Sequence, residues 1–323
     1  MKTTAYRKNV RKLIILAVLT VIAVVLFMTW DVNFSNPKFL QFSMKLRTPK
    51  VLAMLLAAFA IGAASIVFQS IINNQIVTPC LLGMNSLYTL MHTAVYFVFG
   101  STSFLAVNAN AAFVVDLVVM VIAATVIYGL LFKKTNYNVL YVLLIGTVLT
   151  SFFGSMQETM ARIMDPNEYD TLLLNLVAGF ENINGEIIAA CAIILAVIAF
   201  LLRKELALLD VITLGKDQAI NLGVDYDKTI GKLLVGVTAC IAVATAMVGP
   251  ISFLGLIIAN LGRQLMKTYR HTHLILGASL FGMLALVAGQ LLVEHVFVYA
   301  VPVSVFITLG GGVYFLYLLL KKR

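Results

Sequence analysis

The sequence predicts an all-α, polytopic membrane protein with about ten transmembrane helices and with both termini in the cytoplasm. Hydrophobic residues make up 61% of the 323 residues, charged residues make up only 11%, and the mean hydropathy is +1.00. Soluble domains carry about 25% charged residues, so a chain this apolar could not cover itself with polar surface in water. A soluble enzyme is therefore excluded, and the lipid bilayer is the first expected partner.

The apolar stretches are long enough to cross a bilayer, which takes about 20 helical residues. The first, at 13–30, follows a basic N-terminus and is longer than the apolar core of a cleaved signal peptide, so we expect it to be retained. Together the spans form a single transmembrane domain over residues 1–323. The other nine are predicted at about 51–69, 81–99, 113–132, 139–160, 187–202, 232–248, 251–265, 274–293 and 302–320.

The basic residues indicate how these spans are oriented. With ten spans and a cytoplasmic N-terminus, 18 of the 23 Lys and Arg residues fall on the inside. Cytoplasmic loops of membrane proteins carry an excess of positive charge, which supports this topology. The net charge of +9 therefore reflects orientation in a membrane, and no nucleic-acid partner is expected. The basic residues left outside are Lys38, Lys45, Arg47, Lys50 and Arg162.

Three polar segments are too long to be simple turns. Two lie on the outside, at about 31–50 and 161–186, and one lies on the inside, at about 203–231. Long ordered loops commonly carry function. Protein partners are therefore expected to bind at these three segments.

The sequence contains no motif for nucleotide binding. Gly215-Lys216 and Gly231-Lys232 lack both the upstream glycine and the following hydroxyl residue of a phosphate-binding loop. Any ATP hydrolysis therefore belongs to another chain, and this chain is not expected to be an enzyme. The three cysteines have no metal-ligand spacing. No cofactor and no metal site are expected.

Histidines and mid-membrane charges give little sign of chemistry. His271 and His273 are expected to be a solvated loop pair, and His92 is expected to make a packing hydrogen bond. Ion-coupled carriers place charged residues in mid-membrane, whereas Asp116 and Glu158 lie near the outer ends of spans. This distribution weighs against an ion-coupled secondary carrier, which stays the alternative of another class. A structural membrane protein without transport is a further alternative. Small residues at 62–65, 277–279 and 310–312 permit close helix packing or irregular backbone beside a cavity.

Five motifs are spread over about residues 45–318: Arg47-Thr48-Pro49-Lys50, the segment 74–83, the segment 208–224, the segment 249–256, and Gly277-Ala278 with Pro302-Val303. They resemble, in the same order and on the expected sides of the membrane, the motifs of the iron-chelate (FecCD-type) ABC importer permeases, the family that includes the vitamin B12 importer permease.

The resemblance implies a multi-pass permease of a bacterial cell membrane that translocates a ferric-siderophore complex by ATP-driven alternating access. A cobalamin or haem importer of the same fold is the alternative. The implied partners are cytoplasmic ATP-binding subunits, an extracytoplasmic siderophore-binding protein, and a second homologous permease or a second copy of this chain.

The resemblance also implies roles for particular residues. The implied ATPase-coupling residues are Leu214, Gly215, Ala219, Leu222 and Gly223; the implied binding-protein contacts are Arg47 and Lys50; the implied cytoplasmic gate is Asn74, Gln75, Ile76 and Gly146. Several positions depart from the family pattern. Gln75, Ala259 and Gly312 replace prolines, Asn260 replaces a histidine, and Glu294 stands where the family often has an arginine. The last departure favours pairing with a different, homologous permease.

Overall fold

The computed structural model describes residues 2–32, 34–134, 139–181, 183–297 and 301–321. Over these ranges the secondary structure is helical, with no strand, which confirms the predicted all-α class. The elements are α1 (Lys2–Thr29), α2 (Pro37–Ile72), a 3-10 turn (Pro79–Leu82), α3 (Met84–Phe99), α4 (Phe104–Val107), α5 (Ala109–Lys134), α6 (Val139–Ile163), α7 (Pro166–Leu176), α8 (Gly185–Leu201), α9 (Arg203–Ile212), α10 (Lys216–Asn221), α11 (Tyr226–Val248), α12 (Leu254–Met266), α13 (His271–His295) and α14 (Val303–Lys321).

Each of the ten predicted spans overlaps one of these helices. Among the described residues, five helices are long and apolar enough to cross a membrane, namely α1, α2, α5, α11 and α13. The number becomes six if α8 and α9, which meet at 57°, form one bent span. The count of ten and the cytoplasmic location of both termini stay predictions.

Helix starts are set by local sequence. Asn36, Asp165, Asn184 and Asp225 each precede a helix, and each side chain accepts a hydrogen bond from a backbone N–H of the first turn. Because Asn36 caps α2, the outer segment 31–50 is mostly the beginning of that helix. Similarly, the outer segment 161–186 contains α7, and the inner segment 203–231 contains α9 and α10.

Helices α2 and α11 form the buried centre of the bundle. In each of them 72% of the most apolar window is buried, against 22% in α1 and α5. Helix α2 packs against α13, α11, α12, α8 and α9, and α1 covers the other side of α13. The buried part of α2 is rich in alanine, glycine and serine, and small residues let neighbouring helices approach closely in a membrane. The central position of α2 agrees with this composition.

The backbone is interrupted just before α12. Gly249 and Phe253 have positive φ angles of 82° and 61°, so the predicted span at 251–265 begins as irregular chain and becomes helical at Leu254. The Phe253 side chain fills the space above Gly311, where a Cβ atom would lie only 2.3 Å from Phe253 Cβ. The small residues predicted at 310–312 thus include one that makes room for an irregular segment.

Small residues also bring α12 and α13 into close contact. A Cβ atom on Gly262 would lie 2.8 Å from Ala278 Cα, which is shorter than a normal contact with backbone. On α2, a Cβ atom on Gly62 would lie 3.2 Å from the backbone of Ser279. Close approach through small residues is typical of helix pairs in membranes. Helices α2, α12 and α13 are therefore held together at a fixed separation.

Replacing Gly262 with alanine tests this contact. We expect Gly262→Ala to destabilise the protein by about 1–3 kcal/mol, because the added methyl group forces two backbones apart. The matched control is Gly129→Ala in α5, where no atom lies within 4 Å of the added Cβ. That variant is expected to gain up to about 1 kcal/mol of stability, because alanine lowers the conformational entropy of the unfolded chain. Thermal unfolding in detergent measures the stability of both variants. Equal melting temperatures of the two variants would contradict the close contact at Gly262.

Candidate functional site

The inner segment folds into two short helices separated by glycine turns. Gly215 lies between α9 and α10 with a φ of 106°, and Gly223 follows α10 with a φ of 81°. Both values lie in the region that favours glycine. The turn after α10 is closed by hydrogen bonds from Gly223 N to Ile220 O (2.9 Å) and from Val224 N to Ala219 O (3.0 Å).

Three apolar side chains, Leu214, Ile220 and Leu222, are exposed beside these turns; we name them the apolar tip. Leu222 is 63% exposed, and the other two are about half exposed. Ala219, which the sequence groups with them, is 0% exposed and packs inside the turn. Exposed apolar clusters mark sites of interaction. The apolar tip is therefore the part of this segment that can contact another protein.

Ion pairs fix the apolar tip relative to α11. Lys216 Nζ lies 3.1 Å from a carboxylate oxygen of Asp227, which joins α10 to α11. Asp225 caps α11, and the hydrogen bond from Lys228 lowers the pKa of its carboxyl below the ordinary value. Asp225 thus stays charged at neutral pH, which suits the positive end of a helix dipole.

The predicted gate residues 74–76 form a tight loop after α2. Asn73 ends the helix with a left-handed conformation, and Asn74 Oδ1 accepts from Ile76 N at 2.9 Å. The carbonyl oxygen of Gln75 accepts from Gln69 Nε2 and from Asn260 Nδ2, both at 2.8 Å. Gln75 and Asn260, which both depart from the family pattern, are therefore in contact. A proline at position 75 would stiffen the turn by itself, whereas here Asn260 helps to hold it.

Gly146, the fourth predicted gate residue, lies in a different element. It is buried in α6, and its carbonyl oxygen accepts from Thr150 Oγ1 at 2.8 Å. Helix α6 packs on the 3-10 turn that follows the gate loop in sequence. The four predicted residues are thus connected through that turn.

In the first half of α2, Lys50 forms ion pairs with Glu181 and with Glu294, the latter at 3.2 Å. Gln290 donates to both carboxylates, at 3.0 Å and 3.1 Å, and the Glu294 side chain is only 5% exposed. We name Lys50, Glu181, Gln290 and Glu294 the outer cluster. The acidic residue in place of the family's arginine is therefore neutralised within the chain.

Arg47 is also bound within the chain. Its Nη1 donates to the carbonyl oxygens of Phe27 and Trp30, at 2.8 Å and 2.7 Å. These carbonyls belong to the end of α1, where the helix provides no internal donor. Arg47 therefore ties α1 to α2.

A cavity of about 540 Å³ lies between α3, α5, α11 and α13. Its wall includes His92 and Asp116, which form a hydrogen bond of 2.9 Å between Nε2 and Oδ2. The ring of Tyr88 lies 4.3 Å from that of His92. The expected packing hydrogen bond of His92 is thus made to an acidic partner.

One prediction from sequence is wrong. His271 is not a solvated loop residue but is only 4% exposed, with its ring Nε2 2.9 Å from Ser70 Oγ and its Nδ1 bonded to Asp210. Sequence reasoning also missed Ser70 and Arg263, which belong to the same network at the inner end of α2. The basic character of Arg263 in an apolar helix was the signal that could have found it.

The apolar helical bundle is that of a multi-pass membrane protein, and the apolar tip gives it a surface that another protein can cover. The chain belongs to the FecCD transport family, whose model matches residues 10–321. The resemblance to iron-chelate permeases is thereby confirmed. The protein is a multi-pass protein of the cell membrane.

Two curated relatives and one solved structure are similar over most of the chain. The petrobactin import system permease protein YclO of Bacillus subtilis (strain 168) is 37% identical over 98% of this chain and 99% of its own length. The petrobactin import system permease protein FatC of Bacillus anthracis is 34% identical over 90% of this chain and 82% of its own. An inward-facing structure of a metal-chelate type ABC transporter has a TM-score of 0.79 at 21% identity, and the match covers 97% of this chain and 99% of that one, which shows the same fold.

Proposed function

We propose that the chain is the permease subunit of an ABC importer that carries a ferric siderophore into the cell. The observation that carries this proposal is the similarity along the whole chain to the two petrobactin permeases. Petrobactin is therefore the first chelate to test. A haem importer is the second candidate, because the hemin transport system permease protein HmuU of Yersinia pestis is 26% identical over 91% of the chain.

The proposed mechanism is alternating access in a complex with a second permease and two ATP-binding subunits. ATP would close the ATP-binding subunits beneath the apolar tip, and the movement would reach the gate residues 74–76. On the other side, an extracytoplasmic siderophore-binding protein would deliver the chelate. The proposal assigns ATP hydrolysis to partner subunits and conformational change to this chain.

An uptake experiment tests the substrate and the energy source. We expect proteoliposomes with the assembled importer and its binding protein to take up radioactive ferric petrobactin when ATP is enclosed with the ATPase. Uptake should persist when an ionophore dissipates the proton gradient, since the energy comes from ATP. Labelled haem and cobalamin serve as competing substrates. Uptake that stops with the proton gradient, or that prefers haem or cobalamin, would refute the proposal.

Replacing Leu222 tests the docking of the ATPase. We expect Leu222→Ser to fold normally, because the side chain is exposed, and to lose most co-purification of the ATPase, because an apolar anchor is removed. The control is Leu174→Ser in α7, a comparably exposed leucine in the predicted outer segment. Ala219→Arg is a poorer test, since Ala219 is buried and its replacement would disturb the turn itself. Unchanged ATPase recovery with Leu222→Ser would contradict docking at the tip.

Lys50 allows its docking role to be separated from its role in the outer cluster. We expect Lys50→Met to destabilise the protein by about 3 kcal/mol, because Glu294 loses its counter-charge in a buried position. Adding Glu294→Leu should restore most of that stability. If Lys50 also contacts the binding protein, affinity at low salt stays reduced in the stable double variant. Affinity that returns to the native value in the double variant would assign Lys50 a structural role alone.

A further inference from the structure

Four helices meet at a polar network near the inner end of α2, in which Ser70 and His271 are buried and Asp210 and Arg263 are partly exposed. We name Asp210, His271, Ser70 and Arg263, which lie on α9, α13, α2 and α12, the linking network. Asp210 Oδ1 accepts from the backbone N–H of His271 at 2.9 Å and from its ring Nδ1. The other ring nitrogen of His271 is 2.9 Å from Ser70 Oγ. The ring therefore bridges α9 and α2 directly.

Arg263 extends the network to the gate loop. Its Nη2 donates to Ser70 Oγ at 2.9 Å, and its Nε donates to Gln69 Oε1 at 3.3 Å. Gln69 in turn donates from Nε2 to the carbonyl oxygen of Gln75 at 2.8 Å. An unbroken series of hydrogen bonds thus runs from Asp210 on α9 to the loop 74–76.

The residues next to Asp210 hold α9 against the bundle. Leu209 and Ile212, which flank Asp210, are buried, and α9 packs on α11, α13 and α2. Buried donors and acceptors are costly to leave without partners, and linked hydrogen bonds reinforce each other. A displacement of α9 would break the bonds of His271 and Ser70, which are buried, unless His271 and the end of α2 moved with it; the Asp210 side chain, 39% exposed, is the member that water can reach.

We propose that Asp210 and His271 are positioning residues that couple the position of α9 to the gate loop 74–76 through Ser70, Arg263 and Gln69. The inference rests on the proposed function, since the ATPase supplies the displacement of α9. The residues touch neither the chelate nor ATP. A purely structural role would predict that their loss lowers stability and changes nothing else.

The test measures coupling in the complete importer. We expect Asp210→Ala to keep most ATP hydrolysis but to transport at least fivefold less chelate per ATP, because α9 moves without the loop. Asp210→Asn should fall between Asp210→Ala and the native protein, since its amide oxygen still accepts from His271. The matched control is Glu158→Gln on α6, an exposed carboxylate outside both the network and the docking segment, which should leave the ratio unchanged.

A second measurement reports the loop itself. With the three native cysteines replaced by alanine, Ile76→Cys should react with a thiol reagent at different rates in the nucleotide-free and ATP-bound complexes. Asp210→Ala should abolish that difference. If Asp210→Ala does not fold, Ser70→Ala breaks the network at its middle and should have the same two effects. In the variant that combines Asp210→Ala with Ser70→Ala, the effects of the two substitutions should not add, because both interrupt one linkage.

The outcomes separate this inference from the proposed function. If the native complex shows no ATP-driven uptake of a ferric chelate, the proposed function fails, whereas the reactivity of Ile76→Cys still tests the linkage. If native uptake is normal and Asp210→Ala and Ser70→Ala retain both the native transport ratio and the nucleotide-dependent reactivity, the linkage is overturned.

Discussion

Helix α2 has to satisfy its backbone polar groups within itself, because it runs through the centre of the bundle where neither water nor another backbone can serve them. Its 36 residues form a rod of about 54 Å, which is longer than a typical hydrocarbon core. The Lys50 pairs lie in its first half, and Ser70 and the gate loop lie at its end. Both candidate sites are therefore positioned by one helix, and the helices around it are arranged by their contact with it.

The way α2 is held differs along its length. Around Gly62, α13 approaches closely, and this contact depends on shape alone. At Lys50 and at Ser70, the contacts are ion pairs and hydrogen bonds that depend on charge and geometry. Apolar packing tolerates small displacements of one helix along another, whereas a network of charged hydrogen bonds has a preferred position. The polar contacts of α2 are therefore where distinct conformational states can be distinguished energetically.

Much of the fold followed from the sequence, because lipid imposes long apolar helices and small residues where helices meet. Each predicted span overlaps a helix, and Gly62 and Gly277, from two of the predicted small-residue segments, lie at close contacts. The interruption before α12 was not predicted, because a hydropathy pattern does not distinguish irregular chain from helix at residues 250–253. The prediction for 31–50 was incomplete for a related reason: polar residues can begin a long helix as well as a loop.

The site was less predictable than the fold. Motifs located the segments around Asn74 and Leu214, since their local sequence determines local turns. The partners of these segments come from distant parts of the chain: Asn260 reaches Gln75, and Asp210 reaches His271. Sequence spacing contains no information about such pairings. The burial of His271 was missed because two histidines before an apolar run have the composition of an ordinary loop.

The anchoring of the Gln75 carbonyl also has an evolutionary consequence. A proline at this position would stiffen the turn by itself, whereas glutamine depends on the amide of Asn260, 185 residues further along the chain. The two positions should therefore covary, with sequences that have proline at 75 free to place other residues at 260. Members of the family with neither device would be expected to have a more mobile turn after the second span.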